Sequence, residues 1–134
     1  MEINKYMVKA KHTHLFVQNQ HLNGTWVYGL LVADNYIFDN ELGGEMLIDT
    51  NTICRPTMLL DNNGNMIWEN DLLKSGKDIW EVLCSEIGGG WYAALDGDYR
   101  ATELSYFVGN REYEIIGNAF DVTQDDLKEI IEGD

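Results

Sequence analysis

Proline, cysteine and positive charge are the scarce quantities in this sequence. The single proline, Pro56, cannot donate to a β ladder and therefore suits a sheet edge or the first residue of a strand. The two cysteines, Cys54 and Cys84, lie far apart with no Cys-x-x-Cys spacing, and no signal peptide opens the chain, so reduced thiols in a cytosol are the expected state. The longest apolar run, Trp26 to Ala33, is far shorter than the ~20 residues of a membrane helix, which argues for a soluble, cytoplasmic protein with no membrane partner. Against 23 Asp+Glu there are only 9 Lys+Arg, giving a net charge of −14. A surface that negative repels phosphate backbones, so direct nucleic-acid binding is disfavoured and cationic partners are attracted at long range. Phosphate-loop and dinucleotide motifs are absent: Gly88-Gly89-Gly90 lacks both the lysine and the strand-to-helix context.

What the chain does have is apolar and aromatic content. With 134 residues, 45% hydrophobic, 4 Trp, 7 Tyr and 4 Phe, it is too apolar for a disordered acidic tail and is of a size for one domain, residues 1–134. Short strands punctuated by turns run along it. They are expected at 6–16, 25–33, 36–38, 46–48, 53–60, 79–87, 91–95 and 113–116, with a helix or loop at 102–107. The near-continuous apolar run 25–33 reads as a central strand covered on both faces. Thr123 and Asp126 resemble a helix N-cap, opening a short C-terminal helix with Leu127, Ile130 and Ile131 on one face. Little helix and six to eight short strands argue for a mainly β fold, a partly open β-barrel or two packed antiparallel sheets. The first 24 residues hold Lys5, Lys9, Lys11 and all three histidines against one acid, a basic strand or arm ahead of an acidic body.

The most distinctive stretch is 57–73, which reads as a β-hairpin turning at Asn63-Gly64, both residues tolerating the positive φ of a type I′ turn. Its pattern, Thr57, Leu59, Asp61-x-x-Gly64, Trp68, Glu69-x-Asp71 and two leucines, resembles the central signature of the YopX family, small proteins of phages and prophages. Trp26-x-Tyr28-Gly29 is similar to that family's early strand, 48–53 to the stretch leading into the signature, and Ile115-Ile116-Gly117-Asn118 to its terminal box. The similarity runs from about Trp26 to Ile131. Met58 and Asn70 stand where the pattern usually has glycines, and Val122-Thr123-Gln124 replaces an Asn-Pro after the final box. The resemblance implies a mainly β fold and a phage or prophage origin, and no reaction. It implies a structural role for Trp26, Tyr28, Gly29, Thr57, Leu59, Asp61, Gly64, Trp68, Glu69, Asp71, Gly117 and Asn118.

Other constellations are weaker. Asp61-x-Asn63-x-Asn65 opens like a calcium loop, but Met66 and Leu72 stand where an EF-hand needs glycine and a bidentate glutamate. His12 and His14 share a strand face and His21 follows, without a cysteine or carboxylate at ligand spacing. Cys84 lies in an apolar strand, where cysteine is a small hydrophobe. The aromatics Trp26, Tyr28, Trp68, Trp80, Trp91 and Tyr92 read mostly as core. No metal, cofactor or catalytic residue is assigned. The expectation is a non-enzymatic protein-binding module acting on a host or phage protein, in its sharper form an acidic decoy for a host nucleic-acid-binding protein, and able to form homo-oligomers. The alternatives are a metal-dependent hydrolase using the paired carboxylates Glu69, Asp71, Asp96 and Asp98, or an assembly component.

Overall fold

The structure, a computed structural model, describes residues 7–13, 24–85, 87, 89–95 and 100–132. The fold is mainly β with a short C-terminal helix, and the strand pairs among the described residues are antiparallel. Eleven strands appear among the described residues, more than the expected six to eight: the second arm of the 57–73 hairpin is split by the turn at Glu69-Asn70, and a three-residue strand precedes the helix at 104–110. The chain gathers into two compact units, Met1–Pro56 and Thr57–Asp134.

The first unit is built from β1 (Met7–Lys11), β2 (Trp26–Val32), β3 (Tyr36–Asp39) and β4 (Gly44–Leu47), adjacent in that order. Its sheet curls back on itself. Beyond β1, His12 bridges Ile48, Thr13 N–H donates to the Leu47 carbonyl at 3.0 Å, and Asp49 N–H donates to that of Lys11 at 2.9 Å. The ends of the first and fourth strands are thereby joined around a core of Ala10, Val27, Ile37 and Ile48. A 3₁₀ turn at Thr50–Thr52 follows, and Thr52 Oγ1 accepts the Lys11 N–H at 2.8 Å. β2 is flanked by β1 and β3, as a central strand should be, but it is not covered on both faces: Tyr28, Leu30 and Leu31 are exposed. A continuous apolar run conceals the alternation that would separate an inner from an outer face.

The second unit opens with the hairpin β5 (Pro56–Leu60) and β6 (Met66–Trp68), Pro56 taking the strand-start position. A five-stranded sheet follows, made of β7 (Asp71–Ser75), β8 (Asp78–Cys84), β9 (Trp91–Leu95), β10 (Ala101–Glu103) and β11 (Glu114–Asn118), ordered β10-β9-β8-β7-β11. Two helices complete it, α1 (Leu104–Asn110) and α2 (Gln124–Glu132). Cross-strand partners Leu73, Trp80 and Leu95, with Val82 and Ala93, share one face and bury it against Leu104 and Phe107 of α1 and Ile67 of β6. Phe107 lies edge-on to Trp80 at a centroid distance of 5.4 Å. Burying Phe107 and Leu104 contributes about 2–3 kcal/mol each, enough to hold a seven-residue helix that would not form alone. The C-terminal cap forms as read: Thr123 N–H donates to Asp126 Oδ2 at 3.0 Å and Asp126 N–H to Thr123 Oγ1 at 3.1 Å. No helix among the described residues is long and apolar enough to cross a membrane.

Candidate functional site

Two of the resemblance's segments, 57–73 and 115–118, meet in the second unit. Asp71 begins β7 and folds back over the two-residue turn Glu69-Asn70, so that its Oδ2 accepts the Trp68 N–H at 2.8 Å. The turn needs a left-handed residue, and Asn70 supplies it with φ 68°. From 47 positions further on, Asn118 at the end of β11 donates Nδ2–H to Asp71 Oδ1 at 3.1 Å and to the Glu69 carbonyl at 3.0 Å. Its own Oδ1 accepts the Phe120 N–H at 3.1 Å. Asn70 completes the joint: its N–H donates to the Val82 carbonyl and its carbonyl accepts the Ala119 N–H, both at 2.8 Å, while Nδ2 donates to Glu81 Oε2 at 2.9 Å. Gly117, at φ 146° and beside a register shift in β11, lets the strand bend here; a Cβ would stand 2.7 Å from Val122 Cγ2.

The Asp71 carboxylate and the Asn118 amide are 4% and 2% exposed. A carboxylate this buried is tolerable only with donors on its oxygens, and each oxygen has one. The arrangement splices the end of β6, the start of β7 and the end of β11. Both Asp71 oxygens are held by donors, and Trp68, whose N–H supplies one of them, is itself buried. Glu69 takes part through its backbone carbonyl.

The hairpin ahead of this joint is organised by Asp61. Asp61 Oδ1 accepts the N–H groups of Asn63 and Asn65 at 2.9 and 2.8 Å, and the Asp61 carbonyl accepts the Gly64 N–H at 3.0 Å. Of the two expected turn residues only Gly64 has positive φ, 82°, so the turn is a tight turn with a single left-handed glycine and not type I′. The carboxylate decides the difference, because holding both N–H groups needs one more residue in the loop. Thr57 Oγ1 donates to the Ile67 carbonyl at 2.7 Å and clips the strands together, while Leu59 packs against the core.

In the first unit, Gly29 is required by close approach: a Cβ there would overlap the backbone carbonyl of Phe38 on the neighbouring strand. Trp26 and Tyr28 lie on the outer face, with Lys9 Nζ 4.3 Å from the Trp26 ring centroid and Lys11 Nζ 4.8 Å from it. Asp39 is a buried capping residue that sequence reasoning missed. It accepts from Tyr28 N–H at 3.0 Å and from Glu41 and Leu42 N–H at 2.9 and 3.1 Å, closing the β3–β4 turn. Its place just after Phe38, opening an Asx turn, was the available signal.

The remaining candidates separate. His12 is buried, and neither ring nitrogen is hydrogen-bonded among the described residues, whereas His14 and His21 lie outside them, as do Asp96 and Asp98. Cys54 is buried and Cys84 half-buried, both as free thiols, with the Cys54 thiol donating to the Thr52 carbonyl at 3.4 Å. Of the aromatics read as core, Trp68 and Trp80 are buried, Trp26, Trp91 and Tyr92 are half-buried, and Tyr28 is exposed. A shallow cleft of about 370 Å³ opens beside Trp91, where β10 ends at Glu103 opposite Tyr92 and the chain leaves the sheet for α1. Ser85, Gly90, Tyr92, Ala101 and Thr102 also line it, and Glu103, the one acid lining it among the described residues, accepts the Ser105 hydroxyl at 2.9 Å. Near the aromatic core, burial and the nearby Asp61 carboxylate push the Tyr113 phenol pKa up. Among the described residues no group of three or more His, Cys, Asp or Glu converges as a metal site. No family model, curated protein or solved structure matches this chain.

Proposed function

We propose that this chain is a phage- or prophage-derived, YopX-like protein that works by binding another protein through its acidic surface, with a basic host nucleic-acid-binding protein as the partner class. The observation that carries this reading is how the acids divide. Asp39, Asp61 and Asp71 spend their carboxylates on backbone N–H groups and hold turns, while Asp34, Glu41, Glu45, Asp78, Glu114 and Glu129 stand exposed, where their charge acts on a partner and on no local chemistry. The family part of the proposal is supported by backbone conformation. Met58 and Asn70, which replace the pattern's usual glycines, both adopt positive φ, 67° and 68°, a conformation in which glycine is the default residue.

Affinity capture of the tagged protein from a bacterial lysate, washed at low and at high salt, tests the binding function. A basic protein retained at low salt and released at about 0.5 M supports it, since screening there shortens to a few ångströms. Retention unaffected by salt removes the electrostatic decoy.

A further inference from the structure

We propose that Asn63 is a modification site, where the side-chain amide is lost to water through a cyclic imide closed on Gly64, at a rate held down by the turn that Asp61 organises. The chemistry needs an asparagine amide exposed to water and a following residue with no side chain to crowd its backbone nitrogen. Both conditions hold at the tip of the β5–β6 hairpin. Asn63 and Gly64 are exposed, and a Cβ at Gly64 would meet nothing within 4 Å, so an imide ring has room there. Among the described residues the Asn63 side-chain amide has no hydrogen-bond partner; the residue is held through its backbone N–H. Asn62 and Asn65 are exposed in the same turn, but Asn63 and Met66 follow them and crowd the attacking nitrogen. Asn65 Nδ2 also lies 3.5 Å from Asp61 Oδ2. Of the asparagines among the described residues, Asn63 alone precedes a glycine.

In the first step the Gly64 nitrogen gives its proton to hydroxide and bonds to Asn63 Cγ. The Cγ–Nδ2 bond breaks, and ammonia leaves with a proton taken from water. Water then opens the imide at one of its two C–N bonds. Opening at Cγ restores the ordinary backbone with aspartate at 63. Opening at the backbone carbonyl leaves isoaspartate, whose main chain runs through Cβ and is one carbon longer. The folded turn opposes the first step, because Gly64 N–H donates to the Asp61 carbonyl at 3.0 Å and Asn63 N–H to Asp61 Oδ1 at 2.9 Å. The nitrogen attacks only when these bonds open, so the residue that shapes the hairpin also protects it. Either product adds a carboxylate two positions from Asp61 in a chain already at −14, and the like charges repel. The isoaspartate form also displaces the N–H groups that Asp61 Oδ1 accepts. This inference concerns the covalent fate of the hairpin tip and stands or falls separately from partner capture.

The test is incubation of the full chain for several weeks in warm, mildly alkaline buffer, followed by digestion and tandem mass spectrometry of the peptide carrying residues 57–73. The expected result is a gain of about 1 Da placed at Asn63, as two products resolved by chromatography, aspartate and isoaspartate. Asn63→Gln abolishes the gain, since its imide would be a six-membered ring that closes far more slowly. Asp61→Ala accelerates conversion severalfold. Unfolding the parent in guanidinium chloride at the same pH does so as well, a comparison that needs no variant to fold. An Asn63 that stays intact in the folded parent overturns the proposal. So does conversion of Asn62 or Asn65 as fast as that of Asn63, or a rate that unfolding leaves unchanged.

Discussion

Replacing Asp71 by alanine removes the acceptor for two donors at once, Trp68 N–H and Asn118 Nδ2–H, in a site that is 4% exposed. Hydrogen bonds to a charged group contribute about 1.5–3 kcal/mol each, and a buried donor left without an acceptor costs a similar amount. Allowing for overlap between the two effects, the loss is about 4 kcal/mol, out of the 5–15 kcal/mol typical of a whole domain. Asp71→Asn keeps the shape and can still accept from Trp68, but its own NH₂ then faces that of Asn118. Turning Asn118 to suit would forfeit its bonds to the Glu69 carbonyl and the Phe120 N–H. That variant is expected to lose about 2 kcal/mol. Urea unfolding followed by tryptophan fluorescence measures both, since Trp68, Trp80 and Trp91 all lie in this unit. A coupling of about 1–2 kcal/mol between Asp71→Ala and Asn118→Ala in a double-mutant cycle would tie the cost to this pair. A carboxylate kept for chemistry behaves oppositely, because neutralising it is usually neutral or stabilising. An Asp71→Asn variant as stable as the parent, or more so, would refute the reasoning.

Gly29→Ala should cost about 3 kcal/mol or more in the same urea assay, because its Cβ meets a backbone carbonyl that can move only with β3 itself. Met58→Gly should stabilise by about 0.5–1 kcal/mol, read as a raised melting temperature: relief of a left-handed non-glycine conformation, about 1–2 kcal/mol, exceeds the entropic cost of glycine, and the methionine side chain is exposed. Backbone and side-chain hydrogen bonds from Thr123 lower the Asp126 pKa, so its contribution is present above the ordinary aspartate value and is lost as pH falls through the lowered one. Fraying of α2 on acidification below about pH 4, followed by NMR, should therefore shift to higher pH in Thr123→Ala. The Tyr113 phenol has its pKa raised by burial and by Asp61, so its contribution is intact below about pH 10 and fades as pH climbs through the raised value. A spectrophotometric titration should find this tyrosine ionising above the ordinary tyrosine value, and Asp61→Asn should bring it back towards that value.

Features set by neighbours in sequence were legible. The Thr123–Asp126 cap, the Pro56 strand start and the turn at Asp61–Gly64 each arise within a few residues, where local hydrogen-bond chemistry decides the conformation. The Asp61 turn shows the limit of that reading: Asn63-Gly64 located the turn, but its type depended on where the Asp61 oxygens reached. The joint between Asp71 and Asn118 was not legible from pattern at all, since nothing in the local sequence says that residues 47 positions apart share a bond. The exposed face of β2 was misread because Trp26 to Val32 is apolar at nearly every position. Periodicity cannot distinguish a strand buried on both sides from one that displays Tyr28 and Leu30. β10 was missed as a strand because it is three residues long and runs directly into α1.

The claim that most needs testing is that the Asp71 carboxylate holds the fold and does not hold a metal. Thermal melts of the parent and of Asp71→Asn, each with EDTA and with millimolar magnesium, manganese, calcium or zinc, test it in one experiment. The account predicts a melting temperature for the parent that no metal raises, and a lower one for Asp71→Asn in every condition. A metal-dependent rise in the parent that disappears in a folded Asp71→Asn would contradict it.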